Sequence, residues 1–286
     1  LDLEGAISGG FAITKTLGGT LTYGGSFANT YTGLTTVNAG ILQLSKSSGV
    51  AAIPGNLTIN GPSTVRMMNN NQIADSSAIT LNAAKGTALL DLNGYNETVN
   101  TLAFVAGGTV QTNGGTLNLT GDVTFTGAAG SGLISGNLFM AGSGARHFNV
   151  ADGLATNDLE ISATIGGTQG LVKDGAGRLL LDGVNYFTGG ITVNAGSIYV
   201  TNDSAISSNS ITLAGGTLIS SGSLSAPVSV SSASAVDTPD SLTLTGLVSG
   251  SAGVTKTGTG TLTLTGDSSL TGPLSVTGGV LAIPNA

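Results

Sequence analysis

Residues 171–181 read Leu171-Val172-Lys173-Asp174-Gly175-Ala176-Gly177-Arg178-Leu179-Leu180-Leu181. Residues 187–200 follow as Phe187-Thr188-Gly189-Gly190-Ile191-Thr192-Val193-Asn194-Ala195-Gly196-Ser197-Ile198-Tyr199-Val200. These are short aliphatic runs, each closed by Gly, Asn or Asp, with no helical period. Side chains alternate along a strand, so Leu179 with Leu181, Ile191 with Val193, and Ile198 with Val200 each share one face. That face is the expected core, and Leu180 and Tyr199 are expected to point the other way.

The same pattern occurs at 13–44, with Lys15 at the position of Lys173, and at 254–283, with Lys256 there. In the third copy the matching inward residues are Leu262, Leu264, Leu274, Val276, Leu281 and Ile283. Outside the copies the chain keeps the same grammar, as at Leu57–Asn60, Ala78–Asn82, Thr116–Thr120 and Ile211–Ala214. Self-similar strands and turns are the mark of a solenoid. One coil cannot bury its own apolar face, whereas stacked coils bury each other's. A leucine-rich repeat would show a Leu/Asn consensus, and a propeller would show Trp-Asp pairs, but the chain has no Trp. The sequence therefore predicts an all-β, right-handed parallel β-helix (a β-solenoid) with little or no helix, as one continuous unit over 1–286. Coils should stack at about 4.8 Å.

The copies resemble the passenger-associated transport repeat (autotransporter-associated β-strand repeat) of autotransporter passenger domains. That repeat runs Lys-x-Gly-x-Gly-x-Leu-x-Leu-x-Gly, then Tyr-x-Gly-Gly-x-x-Val-x-x-Gly-x-Leu. The copy at 13–44 departs with Leu17 and Leu34 at Gly positions, and the copy at 254–283 with Leu270 and Pro273. The run Leu89-Leu90-Asp91-Leu92-Asn93-Gly94 is similar to coils that separate such repeats. The resemblance implies a parallel β-helix that is secreted to the extracellular space or the outer-membrane surface of a bacterium. It implies a structural or adhesive part such as a stalk, adhesin shaft or fibre segment.

Composition narrows the field further. Charged residues are 8% of the chain, against roughly 25% in ordinary soluble domains. Gly numbers 47, yet the 40% apolar share and regular alternation argue against a disordered linker. With a net charge of -7 and no basic cluster, no nucleic-acid partner is expected. No apolar run reaches the ~18–20 residues of a spanning helix, so no membrane-spanning segment is expected. The absence of Cys excludes disulfides and thiolate metal sites. The opening Leu1-Asp2-Leu3-Glu4 lacks a signal-peptide pattern and reads like interior sequence, so a piece of a longer solenoid is expected.

Few residues suggest chemistry. His147 follows Arg146 and lies near Asp152, Asp158 and Glu160, the residue types a β-helix polysaccharide lyase would use. A glycosidase would need two facing carboxylates, for which Asp75 and Asp91 are the candidate pair. The expectation is instead a polar outer face, with no catalytic, cofactor-binding or metal site and no enzyme activity. The Gly-x-Gly runs at Gly175–Gly177 and Gly258–Gly260 precede strands rather than helices, so they are expected to be turns and not phosphate cradles. Asn-x-Ser/Thr triplets at Asn56, Asn96, Asn118 and Asn202 are expected by chance in a Thr-rich strand protein. Lys15, Lys173 and Lys256 are expected at solvated strand edges, as gatekeepers against mispairing. Open strand edges at both ends predict partners there: neighbouring coils, or copies stacked end to end in a filament.

Overall fold

The computed structural model describes residues 1–127, 130–206 and 209–284. It is a parallel β-solenoid of about 14 turns. One wall is a 14-stranded sheet running from Asp2–Leu3 to Leu274–Val276. A second wall is a 13-stranded sheet from Ile13–Lys15 to Ser268–Leu270. Two four-stranded sheets build the third side, one from Glu97–Val99 to Thr164–Gly167 and one from Gly222–Leu224 to Val280–Ala282. No α-helix occurs among the described residues, and a single 3₁₀ turn spans Asp203–Ala205.

Each coil lies directly on the next. Ile211 pairs with Val228 and Leu133 with Glu160, so coil length varies from 17 to 27 residues. Most insertions are absorbed at the corners, and one register shift falls within the 13-stranded wall, between Leu213 and Ala214. Several corners use Asn with positive φ, as at Asn71, Asn93 and Asn113, all at 51°. Asn tolerates this left-handed backbone because its short polar side chain bonds locally.

The core is a set of aliphatic and aromatic columns. Val37, Ile59, Leu81, Phe104, Phe125 and Val150 stack along the second wall, all fully or almost fully buried. Each such side chain contributes about 1.5–3 kcal/mol of burial. Leu179, Leu181, Ile191, Val193, Ile198, Val200, Leu262 and Leu264 occupy the core as the alternation requires.

Three expectations need correction. Val276 and Ile283 are 46% and 41% exposed, because they lie in the last described coil and no following coil covers them. Leu180 alternates with the core residues Leu179 and Leu181, as expected, yet it is only 8% exposed. Its in-register neighbours Glu160 and Tyr199 close over it from the coils on either side. The motif lysines are not at solvated edges: Lys173 and Lys256 are fully buried and Lys15 partly so.

The copies also differ in phase. In the first two, the lysine strand lies on the 13-stranded wall and the next strand on the 14-stranded one. In the third, Val254–Thr257 lies on the 14-stranded wall and Thr261–Leu264 on the third side. The motif thus encodes a strand–corner–strand unit and not a particular wall.

Candidate functional site

The residues singled out for catalysis do not converge. The Arg146 guanidinium is buried and donates to the carbonyls of Ala141 and Ser143. Asp158 is buried as well, accepting from the backbone N–H groups of Gly153 and Arg178 at 2.8 and 2.7 Å. Asp152 is exposed, and Glu160 sits on the outer side of its strand between Leu133 and Leu180. His147 stands on the outer face and bonds Asp174 at 2.6 Å, a partner the sequence reading missed because it lies one coil on. The His147 contact and a bond from Asn194 favour the Asp174 carboxylate, overcoming partial burial to hold it below its ordinary range.

Asp91 is tied to Arg66 at 2.8 Å and to Asn113 at 2.9 Å, while Asp75 is exposed on a turn. Among the described residues no three His, Asp or Glu side chains gather as metal ligands. Asn56 and Asn96 spend their side-chain oxygens on N–H groups of the following coil, at Ala78 and Thr116.

What the repeats do bring together is a corner. Lys173 Nζ donates to Asp174 O and Gly175 O of its own corner, at 2.9 and 2.8 Å, and to Ala195 O of the next coil at 3.2 Å. Lys256 repeats this with Thr257 and Gly258 of its own corner and Gly278 of the next coil. Lys15 bonds Leu17 O at 2.6 Å and Ala39 O at 2.7 Å. The ammonium therefore staples consecutive corners through their backbone carbonyls, one of which, Thr257 O, also accepts from Thr238 N–H.

The glycine that follows completes the arrangement. Gly196 has φ of 61°, and a Cβ there would lie 2.5 Å from the carbonyl oxygens of Gly175 and Gly177. Only a residue without a side chain lets the upper corner pass this close. At Gly40 and Gly279, a Cβ would crowd the lysine nitrogen itself, at 2.7 and 2.9 Å. Burial pushes the Lys173 ammonium down to about 8, against the opposing pull of Asp174 and Asp158.

A second buried corner was not legible beforehand. Glu97 is fully buried and accepts from the N–H groups of Gln72, Ile73 and Thr98. Burial raises its carboxyl to about 8, outweighing those three bonds. Gln72 in turn accepts from Lys46 N–H, so each coil caps the one before it. Fully buried Lys46 donates to Gly24 O and Gly5 O of earlier coils.

Comparison with known proteins agrees with this geometry. The passenger-associated-transport-repeat family matches residues 13–44, 171–200 and 254–283. The adhesin BmaC autotransporter of Brucella suis biovar 1 (strain 1330) is 31% identical over 199 residues, covering 68% of this chain and 5% of that protein. The chain thus aligns with only a small fraction of that relative's length. No solved structure matches. The fold is that of a parallel β-helical repeat protein, and these similarities imply the secreted or cell-surface bacterial class. Within that class, the chain belongs to the autotransporter passenger domains that carry passenger-associated transport repeats.

Proposed function

We propose that residues 1–286 act as one continuous, rigid shaft segment of a surface adhesin and are not an enzyme. The observation that carries this reading is the unbroken 14-stranded parallel wall over a continuous apolar core. Such a stack resists bending because each coil is hydrogen-bonded and packed on both neighbours. The similarity to a protein named as an adhesin supports the adhesive context. Dispersal of the candidate acids and bases supports a mechanical role over a catalytic one.

The shaft reading is tested by removing one coil in register. Ile191 and Ile211 are direct partners on the same wall, so joining Gly190 to Ile211 deletes a single turn. In the full-length protein displayed on cells, this deletion should leave both display and attachment unchanged. Loss of attachment with display intact would show that the segment does more than hold the chain extended.

A further inference from the structure

Most coils near the start of the stack turn from the 13-stranded wall to the 14-stranded wall in two residues, as at 38–39 and 61–62. The coil after them uses five, 83–87, between the strands Ala78–Asn82 and Ala88–Asp91. This longer loop leans back over the preceding corner. A Cβ at Gly61 would collide with the Gly86 carbonyl, and one at Gly86 would press on Pro62 at 3.3 Å. Beneath the loop, Asn38, Asn60 and Asn82 stack in register on the outer face. Together with Gly61, Ala84 and Lys85 they line a recess of about 350 Å³.

The chemistry of the lining is specific. Asn60 donates to Asn38 at 2.8 Å, and Asn82 accepts from Ala84 N–H at 3.2 Å. That leaves the Asn38 and Asn82 amide hydrogens and the Asn60 carbonyl to offer alternating donors and acceptors. Stacked strands set them about 4.8 Å apart. Lys15, Lys46, Lys173 and Lys256 all turn inward onto backbone carbonyls. Lys85 is exposed and makes no hydrogen bond or ion pair among the described residues. No carboxylate lines the recess, although the chain as a whole carries a net charge of -7.

We infer that this recess binds a sugar bearing one carboxylate. The carboxamides meet hydroxyls, which both donate and accept, and the Lys85 ammonium meets the carboxylate. Gly61 and Ala84 provide no apolar pocket of the kind a peptide side chain would need. The overhanging loop gives the ligand a wall. The inference is independent of the shaft reading, because deleting 191–210 leaves the recess untouched.

The test is a titration of the whole chain with sodium glucuronate, followed through the side-chain amide NMR signals of Asn38, Asn60 and Asn82. Saturable shifts in the millimolar range are expected, with glucose and acetate each binding at least about fivefold more weakly. Lys85→Ala should weaken glucuronate binding by a similar factor while leaving the thermal midpoint unchanged. Equal binding of acetate and glucuronate, an unaffected Lys85→Ala, or shifts confined to other residues would overturn the assignment. Tighter binding of an oligo-aspartate peptide than of glucuronate would also overturn it, in favour of an acidic protein partner.

Discussion

The Lys173 ammonium bonds the carbonyl of Ala195, which lies one full coil later in the chain, at 3.2 Å. The bond adds a side-chain link between two corners whose flanks are joined by backbone bonds, from Asn194 N–H to Lys173 O and from Ser197 N–H to Gly177 O, and the buried lysine has two further carbonyl partners in its own corner. Replacing it by Met keeps the stem but strands those acceptors. Lys173→Met is expected to cost about 1–3 kcal/mol, the penalty of leaving buried carbonyls unsatisfied. Chemical denaturation measures this, and a midpoint equal to wild type would mean the staple is incidental.

Gly196 provides a second check of the same corner. At its positive φ and 2.5 Å clearance, Gly196→Ala must move the Gly175 and Gly177 carbonyls or distort its own turn. A loss of more than about 1 kcal/mol is expected, beyond the ordinary backbone cost of Ala at φ > 0. A thermal melt of the Ala variant that matches wild type would contradict the close approach.

The burial assignment has its own internal control. Val193 is fully buried, and its neighbour Thr192 faces outward. Val193→Asp places an unpaired charge in the core and should destabilise by several kcal/mol. Thr192→Asp should stay within about 0.5 kcal/mol of wild type. Equal effects in a pair of melts would reverse the face assignment.

How much of this was legible in the sequence depends on distance along the chain. Val193 and Val200 could be placed because alternation is a local property, settled within one strand. The fate of Lys173 could not, because its acceptor at Ala195 exists only once the next coil is laid down. The same holds for His147, whose partner Asp174 is a coil away, and for Leu180, which is hidden by Glu160 and Tyr199 rather than by its own strand. Val276 was misplaced for the converse reason. Its strand reads as core, but burial also needs a coil above. The recess at Asn38, Asn60 and Asn82 has no motif at all, since it arises where a five-residue corner follows two corners of two residues.

Titration should register the two buried corners. Glu97 is raised from 4.5 to about 8 on folding, so the folded state holds its proton more tightly than the unfolded chain. Its stabilising contribution is full below pH 4.5 and is lost as pH rises through 8. Lys173 is lowered from 10.5 to about 8, so its burial cost is full below 8 and is relieved as pH rises toward 10.5. Stability should therefore fall from mildly acid pH to a minimum near 8 and recover above it. Glu97→Gln should flatten only the acid limb in a series of thermal melts, and an unchanged acid limb would argue against a protonated Glu97.

The central claim is that one coil lies directly on the next, and engineered cross-links read that most directly. The chain has no native Cys to interfere. Thr192 and Thr212 are in-register partners on the outer face, and Ser229 follows Thr212 in the same column. Cα atoms on adjacent coils fall within the roughly 4.4–6.8 Å a disulfide spans, and those two coils apart do not. Under mild oxidation, Thr192→Cys with Thr212→Cys should close to a disulfide, while Thr192→Cys with Ser229→Cys should stay reduced. A disulfide in the second pair and not the first would contradict the stack.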